Sequence, residues 1–160
     1  MPKTIKAVIA ALAIIILGAA AYNYFAFADE RRVQQTLLEL REKVSAPLTG
    51  EPDAASTAAA LKPFFTPKVN IFLQLGGELS QTFDRDDLLR VIIDIKRHTP
   101  ELTLKLDFSR GNIKITEGRT ATVSVLATFE NPGETFKPRQ LIFTFEKEEA
   151  LWRLAAVGEQ

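Results

Sequence analysis

The hydrophobic rhythm of the chain changes several times, and each rhythm predicts an element. Lys3 and Lys6 are followed by no charged residue from Ala7 to Ala28. As helix that run would span about 33 Å, against a hydrocarbon core of about 30 Å. "DERRVQQTLLELREKV" then places Val33, Leu37, Leu40 and Val44 at spacings of four, three and four, one stripe of a helix. Asp29 and Glu30 fall in its first turn and Arg41 and Lys43 in its last, as the helix dipole favours. The stripe covers under two heptads, which suits packing against the domain's own sheet better than a dimer seam. Pro47, Gly50 and Pro52 break structure, Ala54 to Leu61 favours a short helix, and Pro63 and Pro67 end it. Phe64 and Phe65 are expected to plug one end of the core rather than touch a membrane.

"VNIFLQLGGELSQTF" reads as a hairpin. A three-residue loop, Leu75-Gly76-Gly77, sets Leu73 opposite Leu79 and Val69 opposite Phe83, joining apolar to apolar. "DRDDLLRVIIDIKRHTP" is a helix with Asp84 as N-cap, Asp87 as a short capping-box acid, a buried stripe Leu88, Val91, Ile92 and Ile95, and Pro100 beyond its end. Five alternating strands follow: "LTLKLDFS", "NIKIT", "RTATVSVLATFE", "RQLIFTFE" and "ALWRLAAV". Short turn signals separate them, so neighbours are expected to be antiparallel. In the last hairpin, facing pairs Phe145 with Trp152 and Phe143 with Leu154 put the loop at Lys147 to Ala150.

Composition adds an address. All twenty acids lie after Ala28, so the part beyond the apolar run has two more acids than bases, with no basic cluster for nucleic acid. Lys3 and Lys6 hold the N-terminus in the cytoplasm and export the rest, to the periplasm or cell exterior. Tyr22, Tyr24, Phe25 and Phe27 would sit at the far headgroups as an aromatic belt. Signal cleavage before Tyr22 or Asp29 is the rival reading; the bulky run Tyr22 to Phe25 speaks against the second site. With no cysteine there are no disulfides, no thiolate metal site and no lipidated Cys. The chain divides into 1–28, an anchor or signal segment, 29–53, an amphipathic helix and linker, and 54–160, the sheet and helices of an α+β domain whose first helix lies within 29–44.

The order helix, short helix, hairpin, helix and long antiparallel sheet, with "LKPFFTPKVNIF", "DRDDLLRVIIDI" and the closing "FTFEKEEALWRLAAV", resembles the nuclear transport factor 2-like superfamily over roughly Asp29 to Val157. Trp152 and Val157 match its recurrent Trp-(Arg/Lys)-(Ile/Leu)-x-x-(Val/Ile) ending. The resemblance implies a curved sheet wrapped around helices, a cone with a pocket at its mouth. Some members do acid–base chemistry there, as in ketosteroid isomerase-like and polyketide cyclase-like enzymes; many only bind partners. One membrane helix followed at once by such a domain is similar in layout to inner-membrane scaffold subunits of type IV secretion systems and to accessory proteins of mycobacterial lipid importers.

Strand parity sorts the side chains. The concave list, which includes Phe108, Val125, Phe129, Phe143, Phe145 and Trp152 as pocket candidates, holds no carboxylate, His or Tyr. An isomerase-like site needs an inward base and an inward proton donor. Asp107 is the nearest candidate, and parity puts it outside unless a β-bulge turns it. Asp84, Asp86 and Asp87 are read as helix-start acids, and His98 as a cap at the helix C-terminus. No cofactor or metal is expected. Leu126 and Ile142 interrupt the polar face and mark an interface for a protein partner or a second copy, since members of the superfamily often pair through this face. The reading is a non-catalytic, membrane-tethered, exported accessory or scaffold domain. A carrier of a small apolar, lipid-like ligand in the cone stands second, and an isomerase- or cyclase-type enzyme third.

Overall fold

A computed structural model describes residues 3–48, 51–74 and 78–160, with side chains for all of these except 3–5, 23–25, 51–52, Leu79 and Thr135. Helix α1 runs Lys3–Ala26, α2 Ala28–Ser45 and α3 Glu51–Leu61. Strands β1, Phe65–Gln74, and β2, Glu78–Asp84, precede α4, Arg85–His98. Then come β3 Thr103–Asp107, β4 Ile113–Thr116, β5 Thr120–Asn131, β6 Glu134–Thr135, β7 Arg139–Glu148 and β8 Leu151–Glu159. The sheet order is β2-β1-β8-β7-β5-β3, with β4 and β6 also paired to β5.

Helix α2 lies across the concave side of this sheet and buries Val33, Leu37 and Leu40 against it. The helical stripe is thus used for packing within the domain. Phe65 is buried and Phe64 packs on the same core. The first hairpin has the expected register, Val69 opposite Phe83 and Leu73 opposite Leu79; its Leu75–Gly77 loop lies outside the described residues.

The last hairpin differs. Phe145 pairs with Leu154 and Lys147 with Trp152, and the turn shrinks to Glu149-Ala150, with φ of 49° and 67°. Two left-handed residues make a turn whose twist matches the strands. Ala155 is an extra residue where the register shifts between Thr144 and Phe145, and this bulge lets Leu154 and Val157, three apart on β8, face the same side as Phe145 and Phe143. Lys147 and Glu148 are therefore strand residues rather than part of the loop predicted over Lys147 to Ala150.

Further expectations change. β3 and β4 are not neighbours: both pair antiparallel to β5, one after the other along it. The Arg110-Gly111 turn signal is a jog in that edge, where Asn112 Oδ1 accepts from Ser109 N–H at 2.8 Å. β1 and β8 run parallel, a pairing of distant segments that no short connection implies. On α4 the buried residues are Leu88, Leu89, Ile93 and Lys96, while Val91 and Ile95 are 41% and 48% exposed. The buried face is displaced toward Leu89 and Ile93, which the alanines of α3 face. Asp84 holds the N-cap position without capping; its carboxylate pairs with Lys68 Nζ at 3.1 Å, and Asp87 pairs with Arg90. His98 is exposed at the helix end, its Nδ1 2.8 Å from the Asp94 carbonyl.

Helix α1 stands apart, with Val8, Ile9, Leu12 and Ile14 to Leu17 all more than half exposed. Among the described residues no helix is long and apolar enough to cross a membrane. The described side chains of α1 run only from Lys6 to Tyr22, together with Ala26. The expected anchor thus rests on the sequence pattern and not on the structure.

Candidate functional site

The concave sheet, α2 and α4 do not close completely on each other. Between them lies a cavity of about 190 Å³. Leu37, Leu40 and Val44 come from α2, Leu88 and Ile92 from α4, and Val69, Leu104, Phe143 and Leu154 from the sheet. Arg41 is its one charged lining residue among those described. A second hollow of about 190 Å³ adjoins it through Val44, Ile92 and Leu104. This one forms the mouth, framed by Ile95, Lys96, Thr99, Leu102 and Phe129. A larger hollow of about 600 Å³ is an open groove outside the cone, where Ala54, Ala55, Ala58 and Ala59 of α3 face Leu89 and Ile93 of α4.

Of the six pocket candidates, Phe143 lines the inner cavity and Phe129 lines the mouth. Val125, Phe145 and Trp152 are buried in solid packing beside it, and Phe108 packs on the core without lining either hollow. The walls that strand parity alone did not assign come from α2 and α4. Their signal was present in the Val33-to-Val44 stripe, but which part of it faces a void depends on the helix crossing the sheet. Asp107 is exposed, paired in register with Leu126 on the outer face. No carboxylate, imidazole or phenol lines either hollow among the described residues.

Two cations mark the two ends of the cone. At the mouth, Lys96 is buried and its Nζ donates to the carbonyls of Val44 at 2.8 Å and Lys43 at 3.3 Å, and also to that of Ala46. It thus caps the C-terminal end of α2, where unpaired carbonyls and the helix dipole favour a cation. Burial lowers its pKa from the usual 10.5, and Asp53 opposes that shift. At the other end, Lys147 Nζ lies 3.0 Å from Asp29 Oδ1 and 5.6 Å from the centre of the Trp152 ring. Trp152 is buried there, its Nε1 without a hydrogen-bond partner among the described residues. No group of three or more metal-binding side chains occurs among the described residues.

On the convex face Ile142 pairs in register with Ser124 and Gly158, and Leu126 with Gln140, so Leu126 and Ile142 are diagonal neighbours on adjacent strands. Leu126 is 40% exposed. Phe72, opposite Gly158 on β1, extends the row. Asn70, Ser80, Thr82, Thr122, Thr144 and Ala156 leave the positions around Phe72 and Ile142 uncharged, while Asp107, opposite Leu126 on β3, bounds the patch at that edge. Ion pairs Lys68–Asp84, Lys105–Glu130, Arg139–Glu159 and Arg153–Glu148 lie outside that patch.

Several solved structures are similar in fold to this curved, mostly antiparallel sheet around α2 and α4. One is a candidate dehydratase of the nuclear transport factor 2-like family from Streptomyces avermitilis, with a TM-score of 0.58, 17% identity, and 82% of this chain and 94% of that one covered. This chain adopts the nuclear transport factor 2-like fold. A candidate scytalone dehydratase from Novosphingobium aromaticivorans is similar at a TM-score of 0.60 and 11% identity, over 84% of this chain and 85% of that one. The yeast UBP3-associated protein BRE5 is similar at 0.57 and 10%, over 81% and 92%. No family model matches the sequence, and no curated protein matches it. At these identities the likeness is one of fold, and the fold hosts both enzymes and binding proteins.

Proposed function

We propose that the chain is a non-catalytic accessory domain that engages a protein partner, or a second copy of itself, through the convex face of its sheet. The observation that carries this reading is the uncharged row Phe72, Gly158, Ile142 and Leu126, with charge kept to its margins. Such a face is easily dehydrated by a partner, and half-exposed aliphatic side chains at its centre gain most from that. The mainly apolar walls of the cone, which carry no carboxylate, imidazole or phenol among the described residues, favour binding over proton exchange.

The domain is held at a membrane by α1 and exported, with its N-terminus in the cytoplasm. Support comes from the uncharged run Ala7 to Ala28 and from the helical backbone, whose 24 residues measure about 36 Å. The full-length protein is expected in the membrane pellet after alkaline carbonate extraction. A mature mass beginning at Tyr22 or Asp29 would replace the tether by a free exported domain.

The interface is tested by Leu126→Lys combined with Ile142→Lys. A lysine on an open convex face stays hydrated, whereas one pressed into a partner loses its water. Circular dichroism should be unchanged, and light scattering or a pull-down should show the association lost. An association that survives both lysines removes this face as the interface. A second reading, a small apolar ligand in the cone, is favoured by the two adjoining apolar hollows.

A further inference from the structure

The two ends of the cone are chemically different, and the chain enters the domain at only one of them. Phe27, with φ −105° and ψ 17°, is the single residue between α1 and α2, and its carbonyl accepts from Arg31 N–H at 3.1 Å. The chain therefore passes from the apolar run into α2 with no flexible linker. Beside that junction the Asp29–Lys147 ion pair, at 3.0 Å and largely shielded from solvent, fastens the end of β7 to the first turn of α2. Lys147 N–H also donates to the Arg119 carbonyl at 2.8 Å, which brings the Glu117-Gly118 turn to the same end. The β7–β8 turn at Glu149-Ala150 thus lies at the junction, and so does the neighbouring end of β4, where Thr116 pairs with Thr120.

The mouth lies at the opposite end. Lys96, Val44 and Phe129 frame it, and Lys96 is bonded to the last carbonyls of α2. The 18 residues of α2 place that opening about 27 Å from Ala28 along the helix axis. β5 runs between the same two ends, from Thr120 beside the turns to Phe129 at the mouth.

The end at the junction also carries exposed apolar side chains. Leu151 is 53% exposed and Phe27 41%, although Trp152, next to Leu151, is buried. We propose that this end rests on the headgroups of the bilayer that holds α1, with Leu151 and Phe27 in the interface, and that the mouth of the cone faces away from the membrane. The inference rests on the tether proposed above. Arg31, Arg32, Arg119 and Arg153 are balanced at this end by Glu30, Glu117, Glu148 and Glu149. The contact is therefore one of interfacial apolar side chains and does not require anionic lipid. Whatever occupies the mouth arrives from the aqueous side and not sideways from the bilayer.

The absence of native cysteine allows single-site labelling. Full-length Ala150→Cys and Glu101→Cys, each carrying an environment-sensitive fluorophore, are reconstituted into phosphatidylcholine vesicles containing a headgroup-attached quencher and recovered by flotation. Glu101 is exposed beside Thr103 and Phe129, at the far end. Quenching should be several-fold stronger at position 150 than at position 101. Equal or reversed quenching in floated protein overturns the orientation and leaves the tether standing. Protein that stays at the bottom of the gradient removes the tether, and the orientation with it. Thr116→Cys is the second junction-side position should Ala150→Cys fail to fold.

Discussion

Lys96→Met tests whether the cone depends on a buried cation at its mouth. The substitution keeps the length of the side chain and removes three donors. At neutral pH the ammonium serves the carbonyls of Lys43, Val44 and Ala46 at the end of α2. A hydrogen bond to a charged group contributes about 1.5–3 kcal/mol, and a cation at a helix C-terminus up to about 2 kcal/mol in a partly buried setting. These do not simply add. Lys43 and Ala46 are exposed residues whose carbonyls can turn to water, and Met recovers some apolar contact. The expected loss is about 2–3 kcal/mol, a sizeable share of the 5–15 kcal/mol typical of a domain.

Urea unfolding followed by the fluorescence of Trp152, the sole tryptophan and a buried one, reads the loss directly. The pH dependence adds a second readout. Folded Lys96 titrates below 10.5 because burial penalises its charge. Between that lowered value and 10.5 the unfolded chain binds more protons than the folded one, so stability rises with pH across this window. The Lys96→Met variant lacks that rise, and the gap between the two proteins should widen as pH climbs toward 10.5. A loss under about 0.5 kcal/mol at pH 7 would refute the capping argument, and a gap that narrows in alkali would mean that the carbonyl contacts outweigh burial in setting the Lys96 pKa.

Two other substitutions follow from burial. Trp152→Ala, which removes the fluorescent probe, should cost about 3–5 kcal/mol in urea unfolding followed by circular dichroism, because it empties the closed end of the cone. Glu148→Ala should cost under about 0.5 kcal/mol, since its pair with Arg153 is 3.4 Å long and half open to water; similar losses from both would contradict the two-residue turn. Asp107→Asn should leave the unfolding midpoint unchanged, and any turnover found for the protein should survive it; loss of turnover with the fold intact would establish catalysis and overturn the binding reading.

Where a pattern repeats, it could be read from the sequence. Val33, Leu37 and Leu40 share a face because a helix returns every 3.6 residues, and that face is buried. The alternation Ala121, Val123, Val125 and Ala127 buries one side of β5, and apolar matching across β1 and β2 selects one register. The closing hairpin resisted because neither of its controlling features has a strong local signal. Glu149 and Ala150 adopt positive φ without being glycine or asparagine, and the Ala155 bulge restores inward parity only after the strands have paired. On α4 the apolar residues outnumber those of a single stripe, so two faces competed; α3 covering one side selected Leu89 and Ile93 and left Val91 and Ile95 in water.

By itself the sequence determined an uncharged N-terminal run, one α+β domain, and strands with one apolar and one polar face, all of which depend on neighbours along the chain. The location of the cavity, the displacement of Trp152, Val125 and Phe145 into solid packing, and the use of Lys96 to close α2 were decided only in three dimensions. A cavity is the volume left over when elements distant in sequence meet, and a buried cation is tolerated only where carbonyls converge on it. Neither is a property of any one segment.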